Sequence, residues 1–196
     1  MRIRFNAKKI VVFLLCLLPF VQTTYAALTQ TLGADPQKVI LLNFGEWTFI
    51  FLLITLALSP ARRRLRFKTA IQYRRMLGLF VTFYASLHLL SFYAFYLGFS
   101  FSDLSREITD RPYLILGFIG WLLLLPLTFT STKAAMRKLK KNWQKLHYLI
   151  YLIAILAWVH FYWQVKSDIN EVVLYGIVLL TLFGERIFVH LKKKRR

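Results

Sequence analysis

Residues 78–98 read GLFVTFYASLHLLSFYAFYLG, and residues 146–163 read LHYLIYLIAILAWVHFYW. Each is a continuous apolar run near the length that crosses a bilayer as one helix, about 20 residues at 1.5 Å per residue. Three histidines interrupt them: His88 in the first, His147 and His160 in the second. A titratable side chain at membrane depth is costly, so an intramembrane histidine is a candidate functional residue. Neutral imidazole is also a common axial ligand of heme iron. The pattern points to a heme-carrying electron conduit.

Outward from these two runs, six apolar segments qualify as spans, at roughly 10–28, 44–60, 76–98, 112–130, 146–164 and 171–189. The expected fold is an all-α integral membrane protein, a six-transmembrane-helix bundle forming a single domain over residues 1–196. The chain is 58% hydrophobic yet carries a formal charge of +19. In a soluble protein that charge would suggest nucleic acid, but here it sits in clusters between the apolar runs. Of 27 Lys and Arg, 23 fall in the N-terminus (Arg2, Arg4, Lys8, Lys9), the loop from Arg62 to Arg75, the loop from Lys133 to Lys145 and the tail from Arg186. The opposite side receives Lys38, Arg106, Arg111 and Lys166, with Asp35, Asp103, Glu107, Asp110, Asp168 and Glu171. The positive-inside rule then puts both termini in the cytoplasm. The basic loops are expected to touch anionic membrane lipid, with no nucleic acid partner.

MRIRFNAKK, the apolar IVVFLLCLLPFV and the small residues of TTYAAL also have the parts of a secretory signal peptide with a cleavage point after Ala26. Retention as a first helix is the expectation, and cleavage would leave five spans with the same topology. Cys16 is the single cysteine, so no intramolecular disulfide and no Cys-x-x-Cys-His heme attachment is available, and any heme is b-type. No internal repeat is evident. Chain breaks are expected at Gly33–Pro36, Ser59–Pro60 and Arg111–Pro112, with a kink at Pro126.

Depth pairs the histidines. His88 lies 13 residues beyond Arg75 and His160 lies 15 beyond Lys145, each roughly 20 Å from the cytoplasmic end at 1.5 Å per residue. Two histidines on different helices at matching depth are what bis-histidine ligation requires. His147 has no histidine opposite it, and Arg74 and Arg75 occupy that level. At about 100° per residue, His147 and His160 stand roughly 140° apart in azimuth, which a simple two-heme arrangement does not explain. Phe83, Tyr84, Phe92, Tyr93, Trp158 and Phe161 flank the histidines as candidate heme-lining or packing residues. Trp121, Trp143 and Trp163 read as interface anchors.

No charged residue falls in the middle of an apolar run, with Glu46 and Glu185 near the ends, which weighs against proton- and ion-coupled transport. There is no dinucleotide fingerprint and no P-loop. Beyond the sixth span only LKKKRR remains, so electrons are expected to come from a separate donor. Arg74, Arg75, Lys141, Lys145 and His147 cluster at the cytoplasmic edge, suited to a flavin phosphate or a quinone head group.

LGADP (32–36), RRMLGL (74–79), SLHLLSFY (86–93), ITDRPYLILGFIGWLLLLPLTFTST (108–132) and WQKLHYLIYLIAILAWVHFYW (143–163) resemble the MsrQ family, from about residue 30 to 185. That family belongs to a broader ferric-reductase-like transmembrane group that also takes in NADPH oxidases. The resemblance implies the heme-binding subunit of a bacterial periplasmic methionine sulfoxide reductase system in the inner membrane. It also implies heme b, FMN, and electrons from the quinone pool or a cytoplasmic flavin reductase. The implied recipient is a periplasmic molybdenum subunit, MsrP. The family's heme-linked histidines match His88, His147 and His160. The chain departs from the NADPH oxidase pattern in having one histidine on the third helix, which puts a second bis-histidine heme in doubt.

The expected function is an electron-transfer subunit of an oxidoreductase system rather than its catalytic subunit. His88, His160 and His147 are the candidate iron ligands, with Arg74 and Arg75 as further cofactor-binding residues. A stand-alone ferric or quinone reductase, and a non-redox transporter or assembly factor, remain open alternatives.

Overall fold

In the computed structural model of the protein, residues 7–165 and 169–194 are described, and all regular structure among them is helical. Arg2, Arg4, Lys166 and Asp168 lie outside the described residues. The helices are α1 (Ala7–Leu28), α2 (Pro36–Arg64), α3 (Arg74–Phe95), α4 (Phe101–Asp110), α5 (Tyr113–Phe129), α6 (Lys133–Leu139), α7 (Lys141–His147), α8 (Leu149–Gln164) and α9 (Asn170–Lys194), with a 3-10 helical turn, Lys68–Tyr73, before α3. Among the described residues five spans are long and apolar enough to cross a membrane: α1, α2, α3 with its preceding turn, α7 and α8 together, and α9. The 17-residue α5 becomes the sixth when it is taken with α4, which it meets at 118°.

α2 runs along α3, α5 runs along α8, and α2 also touches α1, α8 and α9. Its inward side is aromatic and aliphatic, with Phe44, Phe49, Phe51, Leu52 and Leu56 all buried. Outward faces stay apolar as well: Leu14 is 59% exposed and Leu180 72%. A soluble monomer would not show such a surface, but a helix in lipid does.

Three boundaries differ from the sequence expectation, each for a local reason. α2 starts at Pro36 rather than near 44, because Asp35 Oδ1 accepts the Lys38 N–H at 3.1 Å and Pro36 takes the first helical position. That extension moves Glu46 from a helix end into the body of α2. α2 also continues through Pro60 to Arg64, where a break was expected. The stretch expected as a loop before the fourth span forms α4 instead. Ser100 caps it by accepting from Asp103 N at 3.4 Å, and Pro112 ends it.

Three prolines lie inside helices, Pro19 in α1, Pro60 in α2 and Pro126 in α5, and the first two explain unusual hydrogen bonds. Pro60 has no N–H for the Leu56 carbonyl four residues back, and Arg186 Nη2 of α9 donates to that oxygen at 2.6 Å. Beside Pro19, the Phe20 N–H donates to the Tyr84 hydroxyl at 3.1 Å, which in turn donates to the Cys16 carbonyl at 2.7 Å. Tyr84 is thus inserted into the ladder of α1, a recognised cause of helix bending, and it ties α1 to α3. This accounts for Tyr84 and Cys16 as packing residues rather than heme-lining ones.

Candidate functional site

His88 of α3 and His160 of α8 meet inside the group formed by α2, α3, α5 and α8. Their ring centres are 6.2 Å apart, with planes at 85°. An imidazole nitrogen binds a metal at about 2 Å, and its ring centre lies about 1.2 Å further back, so two rings on one iron stand about 6.4 Å apart. The observed spacing fits that arrangement. His88 Nδ1 donates to the Leu41 carbonyl at 2.8 Å, and His160 Nδ1 donates to the Tyr113 carbonyl at 2.7 Å. A carbonyl only accepts, so each Nδ1 holds the proton and each Nε2 keeps its lone pair for a ligand. This is the anchoring that metal-binding histidines commonly show.

Glycines make room for both rings. A Cβ at Gly45 of α2 would lie 2.9 Å from His88 Nδ1, and one at Gly117 of α5 would lie 2.8 Å from His160 Cε1. The two half-sites repeat. In each, a carbonyl 47 residues before the histidine holds the ring, and a glycine four residues after that carbonyl gives it space. The absence of an internal repeat expected from sequence therefore holds for residue types but not for architecture. Leu41, Gly45, Tyr113 and Gly117 were missed as site residues. The one readable signal was a glycine followed 43 residues later by a histidine, occurring twice.

His147 stands apart from this pair. Its Nδ1 donates to the Trp143 carbonyl at 3.0 Å, and its ring stacks on Trp143 at 3.9 Å. Its Nε2 is buried with no partner at hydrogen-bond distance, and the Leu127 backbone also acts on the ring. A one-residue interruption at Tyr148 separates α7, which ends at His147, from α8, which carries His160, and the two helices together make one span. Arg74 is half-buried and acts electrostatically on His147, whereas Arg75 is exposed, as are Lys141 and Lys145. The cluster inferred from sequence is thus divided, with Arg74 inward and Arg75 outward. Arg186 joins Arg74 there: Tyr151 is a neighbour of both, with the Arg186 guanidinium 5.2 Å from its ring centre. Nearby, Arg63 Nε donates to Glu185 at 3.1 Å.

The tryptophans divide too. Trp121 donates to Ser86 at 3.0 Å and Trp143 to the Thr130 carbonyl at 2.9 Å, so both tie helices together rather than only anchoring an interface. Trp158 donates to the Val172 carbonyl at 3.0 Å and rests on Gly176. Trp163, 55% exposed, is placed as an interface anchor would be. Among the described residues no cluster of three His, Cys, Asp or Glu is arranged to hold a metal ion.

A helical membrane bundle with two carbonyl-anchored histidines from different helices defines a class, and residues 42–158 match the family model "Ferric reductase like transmembrane component". Relatives narrow it. The chain is 43% identical over 193 residues to a protein of Polaromonas naphthalenivorans, covering 97% of this chain and 88% of that one. It is 47% identical over 167 residues to one of Xanthomonas euvesicatoria, and 46% identical over 167 residues to one of Xanthomonas campestris, each covering 85% of this chain and 77% of the relative. All three are named protein-methionine-sulfoxide reductase heme-binding subunit MsrQ. The chain belongs to this MsrQ family of ferric-reductase-like membrane proteins. No solved structure matches it.

Proposed function

We propose that this chain is the heme b electron-transfer subunit of a methionine sulfoxide reductase system, with His88 and His160 as the residues that would hold one heme. The carrying observation is the 6.2 Å spacing of two rings whose Nδ1 atoms are both committed to carbonyls. When bound, the heme supplies one-electron redox chemistry, and the chain supplies ligation, spacing and electrostatics. Gly45 and Gly117 let the rings approach, and Leu41 and Tyr113 fix their tautomers.

The basic end is the entry side. Arg74 and the open Nε2 of His147 are suited to a quinone carbonyl or to the phosphate of FMN, Arg74 by charge-assisted hydrogen bonds and His147 as an acceptor. His147 is a third candidate heme ligand whose partner on α3 is not a histidine. Electrons come from the quinone pool or a cytoplasmic flavin reductase. The charge asymmetry supports an inner-membrane topology with both termini cytoplasmic. Electrons then leave at the acidic end, where α4 lies, towards a periplasmic molybdenum subunit of the MsrP type that repairs oxidised methionine.

Purified His88→Ala and His160→Ala variants test the ligand assignment. Each is expected to lose most heme and the low-spin bis-histidine spectrum. Wild-type heme content and spectrum in either variant would remove that residue from the ligand set.

A further inference from the structure

α2 carries a half-buried carboxylate, Glu46, within its apolar span. Glu46 is ten residues beyond Pro36, about 15 Å along the helix, and its Oε1 accepts a 3.1 Å hydrogen bond from the Tyr175 hydroxyl of α9. An ionisable group at such depth is kept against a solvation cost, and such groups mark proton or substrate paths. Among the described residues no lysine, arginine or histidine is in ion-pair distance of Glu46. The Tyr175 hydroxyl is its hydrogen-bond donor.

Two contacts put this pair beside the histidines. Gly45, adjacent to Glu46, is the residue His88 rests on. Phe161, adjacent to His160, packs against the Tyr175 ring at 6.1 Å. Phe49, one turn after Glu46, completes the group at 5.7 Å from Tyr175 and 6.2 Å from Phe161. Among other titratable groups, Glu171 lies one turn before Tyr175 on α9 and acts on it electrostatically. The histidines of α3 and α8 are reached through Gly45 and Phe161.

We propose that Glu46, held by Tyr175, is a proton-accepting site coupled to reduction of the iron centre between His88 and His160. The inference rests on the heme reading above. Were heme held by His88 and His160, its one-electron reduction would add one negative charge on the side of α2 that carries the carboxylate. Uptake of one proton from water at the acidic end converts Glu46 to the carboxylic acid and restores the balance. The electron is supplied by the quinol or reduced flavin donor, and no bond other than the O–H of Glu46 forms. Tyr175 orients the carboxylate, and its hydroxyl stays protonated.

The test is a potentiometric titration of the heme Soret band in purified full-length protein across pH, with an electrode as the reductant. Reduction raises the proton affinity of the carboxylate, so the midpoint potential is expected to fall as pH rises within its titration range. The limiting slope is a tenfold change in the reduction equilibrium per tenfold change in proton concentration, about 59 mV per pH unit for one electron. Glu46→Gln is expected to flatten the slope at unchanged heme content, Glu46→Asp to keep it, and Tyr175→Phe to move the pH range. A Glu46→Gln slope equal to wild type, or a wild-type slope of zero, overturns the proposal. Should Glu46→Gln not fold, redox-difference infrared spectra of the wild type decide: a carboxylic acid C=O band must appear on reduction, and its absence overturns the proposal. Wild-type protein without a Soret band sinks the heme reading and this inference together, whereas intact heme with a flat midpoint sinks this inference alone.

Discussion

Replacing Gly117 by alanine is a small change with a large expected consequence. The new Cβ would lie 2.8 Å from His160 Cε1 and 2.9 Å from its Nδ1. Ordinary carbon contacts need about 3.5–4.0 Å, so the ring must move by somewhat under 1 Å or more. It cannot do so freely, because its Nδ1 is held 2.7 Å from the Tyr113 carbonyl. Displacement therefore loosens that bond and turns Nε2 away from the shared axis with His88. Losing the partner that orients a metal-binding histidine typically costs 10–100-fold in affinity, or about 1.4–2.8 kcal/mol at 1.4 kcal/mol per tenfold. Gly120 on the same helix is the control, since a Cβ there meets nothing within 4 Å. Heme titration of the two variants, followed by absorbance, separates the effects: Gly117→Ala should bind at least tenfold more weakly and Gly120→Ala like wild type. Equal affinity of Gly117→Ala and wild type, with the same low-spin spectrum, would refute the close fit of His160 on α5.

At the basic end, Arg74→Gln is expected to slow heme reduction by quinol or reduced flavin about tenfold or more, the size of a lost charge-assisted hydrogen bond. Exposed Arg75→Gln should leave the rate near wild type, and stopped-flow reduction that treats the two variants alike would dissolve the distinction drawn between them. At the opposite end, reversing Asp103, Glu107 and Asp110 to Lys together should slow electron delivery to the periplasmic partner at least tenfold at low salt, through the association rate. Exposed charges are screened beyond about 8 Å at physiological ionic strength, so the deficit should shrink as salt rises. Because Glu107 also pairs with Arg111 at 3.2 Å, helicity of the triple variant is the accompanying control.

The spans and the depth of the histidines were legible because bilayer thickness and helical rise are fixed quantities. His88 and His160 could be matched by counting residues from Arg75 and Lys145, and the structure brings that pair together. The charge asymmetry was equally legible, since loops carry it whatever the packing. Boundaries were read less well where polar residues open a helix: the hydropathy of Gln37 and Lys38 hid the first turns of α2, and with them the depth of Glu46. A better signal was there in Asp35-Pro36, a cap followed by proline at the first helical position.

Helix rotation was not legible, and the physical reason is the lipid. In water an apolar stripe identifies the buried face of a helix, but these helices are apolar on both the packed and the lipid-facing sides. Sequence periodicity therefore does not say that Arg74 points inward while its neighbour Arg75 does not. Nor does it say which glycine a histidine ring rests on. Those choices are made between segments far apart in the chain: Leu41 with His88, Tyr113 with His160, Glu46 with Tyr175, and the Leu56 carbonyl freed by Pro60 with Arg186. The sequence by itself determined an all-helical membrane bundle of the MsrQ type and, by counting residues, the pairing of His88 with His160. Only tertiary packing decided the tautomer and spacing of those rings and the carboxylate beside them, because buried polar atoms in lipid must find partners on neighbouring helices.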